Sequence, residues 1–358
     1  MKAGDIVSSR YVVRNHIGRG GMQDVYLAFD QLLGVDVALK TPQVGQPNKR
    51  FSQSAKIAAM VNHHNVAKTL DYFEDGGHPF LVEEYIPGET LEAKLIRFGA
   101  VDPHLGARIF QHLSKGVAAS HHAGVIHRDL KPSNIIVAAG VNLHELKVTD
   151  FGIATLTEEV FEQAARDGDL TRSTSGTIRG ALPYMAPEMM FRVPGDHPGN
   201  SMDMWSLGAM MFKILTGDYP FGVYLEAAVN VKNQTRKRWP SFMTSNAQFA
   251  PLASALQRLV DRCLSYDPKA RPTADQLVGE FSKLCYINVV RAEGTVTNLI
   301  QNGYSGFADD PDGGVFFSME SVYGSRRPAT TSNMRVCYSR FPGSPRYRGH
   351  PIVVIDGA

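Results

Sequence analysis

The sequence has few cysteines and no long apolar run, and both absences exclude classes of protein. The 358-residue chain contains 3 cysteines, and Cys263, Cys285 and Cys337 are too scattered for a disulfide framework or a zinc site. Its most apolar stretch, residues 205–215, is too short to span a bilayer and is interrupted by Lys213. The start of the chain lacks the apolar core of a signal peptide. We therefore expect buried or free thiols in a cytoplasmic protein without a membrane span.

Length and charge constrain the chain less strongly. Its 37 basic and 35 acidic residues give a formal net charge of +2, which favours no particular partner. With 358 residues and 43% hydrophobic content, the chain can bury more than one core. Length alone suggests about two or three domains.

The most informative segment is residues 127–134, which read HRDLKPSN and are followed by DFG at 150–152. Phosphoryl transfer requires positioning of the reactants and neutralisation of charge on the transferring phosphate. Asp129 is predicted to accept the hydrogen bond of a substrate hydroxyl, and Lys131 to offset charge on the γ-phosphate. Asn134 and Asp150 supply the oxygen ligands that Mg²⁺ prefers. The four side chains in this order predict a phosphotransferase.

Further motifs follow the same order as in protein kinases. They are IGRGGMQDV at 17–25, VALK at 37–40, APE at 186–188, DMWSLG at 203–208 and RPT at 271–273. With these motifs, residues 10 to about 285 resemble a eukaryotic-type serine/threonine kinase domain, of the kind also found in bacteria. Lys131, two residues after the catalytic aspartate, is typical of serine/threonine kinases. The resemblance therefore implies protein substrates with Ser or Thr acceptors.

The resemblance implies an α+β fold with two lobes, an N-lobe at 1–84 and a C-lobe at 85–286. ATP and Mg²⁺ are the implied cofactors, with Asn134 and Asp150 as metal ligands. The implied ATP-binding residues are Ile17, Gly18, Gly20, Gly21, Val25, Ala38, Lys40, Glu83, Glu84 and Ile86. Asp203 is implied to steady the catalytic loop, and Arg271 to pair with Glu188.

One departure from the family pattern affects the ATP site. The helix after Lys40 should carry a glutamate that pairs with this lysine, but Ser54 stands at the aligned position. No Asp or Glu occurs anywhere in residues 41–70. Gln23 also replaces the third glycine of the loop. Since the missing ion pair positions phosphates in active kinases, a nucleotide-binding pseudokinase is the alternative to an active kinase. The retained catalytic residues favour the active kinase.

A substitute carboxylate is available at Glu83. Aligning residues 81–85 with the usual strand into the hinge places Glu83 at the gatekeeper position, near Lys40 at the back of the ATP site. Glu83 would then replace the missing helix glutamate. Alternatively, the alignment slips by one residue and Glu83 is a partly solvated hinge acid, because buried carboxylates without partners are uncommon.

A cluster of hydroxyl residues precedes Gly180 in the activation segment. Its members are Thr171, Ser173, Thr174, Ser175 and Thr177. Autophosphorylation there would allow charge-assisted hydrogen bonds to Arg128 that order the segment. The alternative is an ordinary flexible loop rich in Ser and Thr.

The last part of the chain, residues 290–356, does not fit a kinase fold. Its β-rich runs, separated by Gly, Pro and Asp, are typical of a small five-stranded barrel. The runs are 292–299, 305–308, 314–318, 334–341 and 351–355. GTV at 294–296, VFF at 315–317 and GHPIVV at 349–354 weakly resemble a cold-shock domain of the OB-fold type.

The base-stacking positions of that family are largely lost in this barrel. Phe316 matches, but Asn298, Ser305, Ser318 and Met319 stand where aromatic residues or histidine are usual. Neighbouring acidic residues also nearly balance the arginines. We therefore expect a role in self-association, docking or autoregulation, with nucleic-acid binding as the alternative.

Overall fold

The structure is a computed structural model that describes residues 1–19, 23–43, 48–143, 145–151, 180–191, 199–300, 303–329 and 334–356. Its N-terminal part is an antiparallel sheet with the strand order β1-β2-β3-β4-β6-β5. The strands are β1 Ile6–Val7, β2 Tyr11–Arg19, β3 Gln23–Asp30, β4 Val35–Pro42, β5 Thr69–Asp75 and β6 His78–Glu84. Alternate residues of β3 are buried, as expected for a strand with one face on a core. That core includes Tyr11, Val37 and Val82.

One helix, α1 (Asn48–Ala58), packs against this sheet. Its buried residues Phe51 and Ala55 form a small cluster with Leu81 of β6. Their spacing of four residues puts both side chains on one face of the helix. Helix α1 therefore lies over the part of β6 that leads to the hinge.

The central part of the chain is mainly helical. Its helices are α2 Leu91–Phe98, α3 Pro103–His122, α4 Pro187–Met190, α5 Ser201–Thr216, α6 Tyr224–Lys232, α7 Ala250–Cys263 and α8 Ala274–Phe281. A small sheet of β7 Gly88–Thr90, β8 Ile135–Ala138 and β9 Leu146–Val148 lies beside them. The Asp102 carboxylate caps α3 by accepting hydrogen bonds from the backbone of His104 and Leu105. In the described part of the chain, no helix is both long and apolar enough to cross a membrane.

The C-terminal part is a closed barrel. Its strands are β10 Arg291–Leu299, β11 Ser305–Asp310, β12 Gly313–Ser318, β13 Val322–Tyr323, β14 Arg335–Phe341 and β15 Tyr347–Ile355. Five of these strands form the barrel in the order β12-β11-β10-β14-β15, and a parallel pairing of β12 with β15 closes it. The two-residue β13 pairs with β15 as a sixth strand of the sheet. Val296, Phe317 and Ile352 lie in the barrel core. The prediction of an α+β protein with a five-stranded C-terminal barrel is confirmed.

The barrel packs tightly on the helical part. Arg291 of β10 forms an ion pair with Asp102 at 2.9 Å, and their side chains are 4% and 1% exposed. The Tyr323 hydroxyl donates a buried hydrogen bond to the Leu215 carbonyl at 3.0 Å. The Phe249 ring contacts the Tyr323 ring at 5.3 Å between centroids. The barrel and the helices therefore share one continuous core.

Candidate active site

A cleft of about 850 Å³ contains most of the residues that the sequence singled out. Its lining includes Ile17, Gly18, Val25, Ala38, Lys40, Glu83, Glu84, Ile86, Lys131, Asn134 and Asp150. Strands β2 to β4, the end of β6 with the hinge that follows it, the catalytic loop and the residues after β9 supply these side chains. Gly20 and Gly21 lie outside the described residues, as do Thr171, Ser173, Thr174, Ser175 and Thr177 of the activation segment.

The catalytic loop is anchored on Asp203 at the start of α5. The fully buried Asp203 carboxylate accepts hydrogen bonds from the backbone N–H groups of His127 and Arg128 at 2.8 and 2.7 Å. His121 approaches the same carboxylate at 2.9 Å. Burial acts to raise the pKa of Asp203, but the hydrogen bonds from His121 and the loop outweigh it and lower this pKa. The Asp203 carboxylate thus holds the loop as an anion.

Three side chains of the catalytic loop form one hydrogen-bonded unit. Lys131 Nζ lies 2.8 Å from Asp129 Oδ2. Asn134 Nδ2 donates to the same oxygen at 3.0 Å and to the Asp129 carbonyl at 2.8 Å. Because the Asn134 amide nitrogen is engaged in this way, its carbonyl oxygen is the atom suited to bind a cation. Asp129 does not line the cleft itself, but its side chain is hydrogen-bonded to Lys131 and Asn134, which do.

Lys40 lies between two carboxylates. Its Nζ is 2.6 Å from Glu83 Oε2 and 2.8 Å from Asp150 Oδ1. Burial acts to lower the pKa of Lys40, but the charges of Asp150 and Glu83 outweigh it and raise this pKa. Burial raises the pKa of Glu83, although Lys40 opposes the shift. Glu83 is 4% exposed, so it is a buried, paired acid rather than a partly solvated one.

Asp150 also receives a hydrogen bond from a residue that departs from the family pattern. Gln23 Nε2 donates to Asp150 Oδ1 at 2.6 Å. Lys40 and Gln23 together lower the pKa of Asp150 against the effect of burial. Gln23 therefore links the glycine-rich loop to the predicted metal ligand.

The donor set fits a magnesium ion that is shared with nucleotide phosphates. Asn134 and Asp150 both line the cleft and offer oxygen atoms, which Mg²⁺ prefers. Among the described residues, no group of three or more His, Cys, Asp or Glu side chains is arranged to hold a metal alone. Mg²⁺ commonly binds through one or two protein ligands, with phosphates and water completing the shell.

The helical part contains an ion pair between Arg271 and Glu188. Arg271 forms two hydrogen bonds with the Glu188 carboxylate, at 2.6 and 2.9 Å. Its guanidinium lies 5.0 Å from the centroid of the Trp205 ring. This is the pairing that the family resemblance implied.

Sequence reasoning missed the contact between His121 and Asp203. The two residues are 82 positions apart, and His121 sits in the last turn of an amphipathic helix where histidine is an ordinary terminal residue. No local pattern marks it. The partner of Gln23 was likewise unpredicted, although Gln23 itself stood out as a departure from the glycine-rich pattern.

Comparison with known proteins agrees with this geometry. Residues 11–281 match the protein kinase domain family. The chain is 31% identical over 290 residues to serine/threonine-protein kinase pkn2 of Myxococcus xanthus. This alignment covers 78% of this chain and 33% of that protein. It is 30% identical over 249 residues to serine/threonine-protein kinase PrkC of Bacillus subtilis, covering 67% and 36% of the two chains. It is 33% identical over 221 residues to serine/threonine-protein kinase PknL of Mycobacterium tuberculosis, covering 60% and 51%.

The chain therefore belongs to the protein kinase family, and the predicted kinase resemblance is confirmed. Members of this family use ATP and Mg²⁺. The aligned region covers about a third to a half of the length of these relatives.

Proposed function

We propose that this chain is an ATP-dependent serine/threonine protein kinase that transfers the γ-phosphate of ATP to Ser or Thr hydroxyls of protein substrates. The observation that carries the proposal is the convergence of Lys40, Asn134 and Asp150 on one cleft, with Asp129 hydrogen-bonded to Asn134. A pseudokinase scaffold would not require this complete set of charged and amide side chains. The retained set therefore favours catalysis over nucleotide binding alone.

Each residue has a separate role in the reaction. The acceptor oxygen forms a bond to the γ-phosphorus while the bond from phosphorus to the β–γ bridging oxygen breaks, and ADP leaves. Asp129 orients the hydroxyl and accepts its proton. Lys131 offsets charge on the transferring phosphate, and Lys40 holds the α- and β-phosphates. Bound Mg²⁺ would neutralise phosphate charge, with Asn134 and Asp150 as its protein ligands.

The proposal is tested by incubating the full chain with labelled ATP, Mg²⁺ and a generic Ser/Thr substrate, beside the Asp129→Asn variant. Transfer by the wild type alone supports a kinase that uses Asp129. No transfer by either protein, with ATP binding retained, would favour the pseudokinase. Mapping labelled sites within 171–177 would test autophosphorylation of the activation segment.

We also propose the division into an N-lobe at 1–84, a C-lobe at 85–286 and an OB-like barrel at 290–356. The barrel's strand order and its closure by a parallel pair support the OB-like class. Its buried contacts with α3 and α5 favour docking on the kinase itself over a freely tethered module. The cytoplasmic location stays a prediction, tested by fractionating cells that express the chain.

Nucleic-acid binding is a second candidate function of the barrel, favoured by one surface feature. Phe307 and Phe316 form a cross-strand pair with ring centroids 5.6 Å apart. Arg346 and Arg348 lie over these rings, at 5.1 and 4.5 Å from the centroids. Aromatic rings beside arginines are typical of surfaces that stack single-stranded bases.

Fluorescence anisotropy with labelled single-stranded RNA and DNA tests this second candidate. Salt-dependent binding that Phe316→Ala removes would support it. No binding at low salt would leave docking as the role of the barrel.

A further inference from the structure

We propose that Glu83 is the positioning residue for the ATP-site lysine, so that Lys40 is aligned by the sheet itself rather than by helix α1. This inference rests on the proposed kinase function and deepens it. It assigns to a strand residue the task that a helix glutamate performs in the family pattern. It also predicts that movement of α1 does not switch the ion pair on or off.

The strand register explains how Glu83 reaches Lys40. On the paired strands β4 and β6, Ala38 lies opposite Glu83 and Lys40 lies opposite Leu81. Residues directly opposite each other, and residues two positions apart on one strand, share a face of the sheet. Glu83 and Lys40 are therefore diagonal neighbours on one face, within reach of two long side chains. Their charged atoms meet at 2.6 Å.

Both charged side chains of this contact are buried, so each requires the other as a partner. The Lys40 and Glu83 side chains are 6% and 5% exposed. A charged group at such a site is stable only when it is paired, because desolvation of a lone charge is costly. Lys40 is thus the partner that allows a carboxylate at this position of β6.

Helix α1 cannot provide the carboxylate. Residues 48–58 read NKRFSQSAKIA and contain no acid. The α1 face against the sheet carries Phe51 and Ala55, which pack on Leu81. Ser54, at the position of the family glutamate, is also buried. The described contacts of α1 with the sheet include this apolar cluster and a hydrogen bond between the Ser52 and Tyr72 hydroxyls. Because α1 contains no acid, the carboxylate that pairs with Lys40 comes from β6.

The two carboxylates around Lys40 differ in what holds them. Glu83 and Lys40 belong to adjacent hydrogen-bonded strands, so the separation of their backbones is fixed by the pairing of β4 and β6. Asp150 comes from beyond β9, in the other lobe, so its 2.8 Å contact with Lys40 depends on lobe closure. When Asp150 serves as a metal ligand, Glu83 is the carboxylate that still holds Lys40.

A double-mutant cycle on the full chain tests the inference. We expect Glu83→Gln to lower kcat/KM for ATP by about 10- to 100-fold, because the lysine is misplaced relative to the phosphates. Lys40→Met should lower it at least as much, and the double variant should be no worse than Lys40→Met alone. Glu83→Asp should keep part of the activity, since it preserves the charge. Glu74→Gln, an exposed acid on neighbouring β5, is the matched control and should match the wild type.

A second measurement does not depend on phosphoryl transfer. ATP with Mg²⁺ should raise the melting temperature of the wild type, since a ligand of the native state stabilises it. Glu83→Gln and Lys40→Met should each reduce this ligand-induced shift, and the two reductions should not add. This readout still decides the inference if the wild type proves unable to transfer phosphate, which would overturn the proposed function alone.

Three results would overturn the inference. One is additive losses in the cycle, which would make Glu83 and Lys40 independent. Another is a Glu83→Gln protein with wild-type kcat/KM and a wild-type ligand-induced shift. The third is a higher rate in Ser54→Glu, which would show that the wild-type lysine is not already aligned by Glu83.

Discussion

Replacing Arg291 with methionine removes one partner of the buried ion pair between the barrel and helix α3. The Asp102 carboxylate, 1% exposed, then loses the guanidinium that lies 2.9 Å away. The hydrogen bonds that this carboxylate accepts from the backbone of His104 and Leu105, at 3.1 and 3.3 Å, remain. They offset part of the free energy that is lost with the ion pair. Removing one partner of a buried ion pair typically costs about 3–5 kcal/mol, chiefly because the other charge stays buried.

This loss of free energy should be visible in thermal unfolding. At roughly 2 °C per kcal/mol for a chain of this size class, Arg291→Met should lower the melting temperature by about 6–10 °C. Arg335→Met is the matched control on the same barrel. Arg335 pairs with Glu293, but their side chains are 37% and 29% exposed, and such exposed pairs contribute only about 0–1 kcal/mol.

The assay is differential scanning fluorimetry with circular dichroism as a second probe. Adding Asp102→Asn to Arg291→Met should restore part of the lost stability, because the stranded charge is then removed. A melting temperature for Arg291→Met within 2 °C of the control variant would refute the reasoning. It would mean that the barrel does not dock on α3 in solution.

Three further predictions concern catalysis, truncation and pH. Asp129→Asn and Asp150→Asn should each abolish phosphoryl transfer, and Asp150→Asn should also weaken Mg²⁺-dependent nucleotide affinity in calorimetry; near-wild-type rates would contradict the assigned roles. Truncation after Ile287 should leave a chain that still binds ATP but melts below the full chain by at least the Arg291→Met difference, because the Tyr323 contacts are also lost; equal melting curves would count against docking. The stability difference between wild type and Asp203→Asn should be present at neutral pH and shrink as the pH falls below about 4, since the folded pKa of Asp203 is lowered; a pH-independent difference would contradict the anionic anchor.

The parts of the site that are local in sequence could be predicted. HRDLKPSN at 127–134 places Asp129, Lys131 and Asn134 within one short loop, so their mutual contacts follow from chain geometry. The contact of Glu83 with Lys40 needed one further step, the alignment of β6 beside β4. The sequence alone did not decide this alignment, because a shift of one residue moves every side chain of a strand to the other face of the sheet.

Contacts between distant segments could not be predicted in the same way. Arg291 and Asp102 are 189 positions apart. An aspartate before a proline at the start of a helix is explained fully as a helix cap. Nothing in that pattern shows that a guanidinium from the barrel also binds the carboxylate. The barrel strands were predictable from their alternation, but their docking surface was not.

Helix α3 takes part in a buried polar contact at each of its two ends. Asp102, at its start, binds Arg291 of the barrel, and His121, in its last turn, contacts Asp203 under the catalytic loop. A helix of 20 residues is about 30 Å long, and α3 is buried along most of its length against the other helices. These contacts hold the last turn of α3 in place when the ion pair at its start is lost. We therefore expect Arg291→Met, measured at least 15 °C below its own melting temperature, to retain the wild-type kcat. A kcat lowered severalfold at that temperature, with unchanged circular dichroism, would show instead that barrel docking controls the catalytic loop through α3.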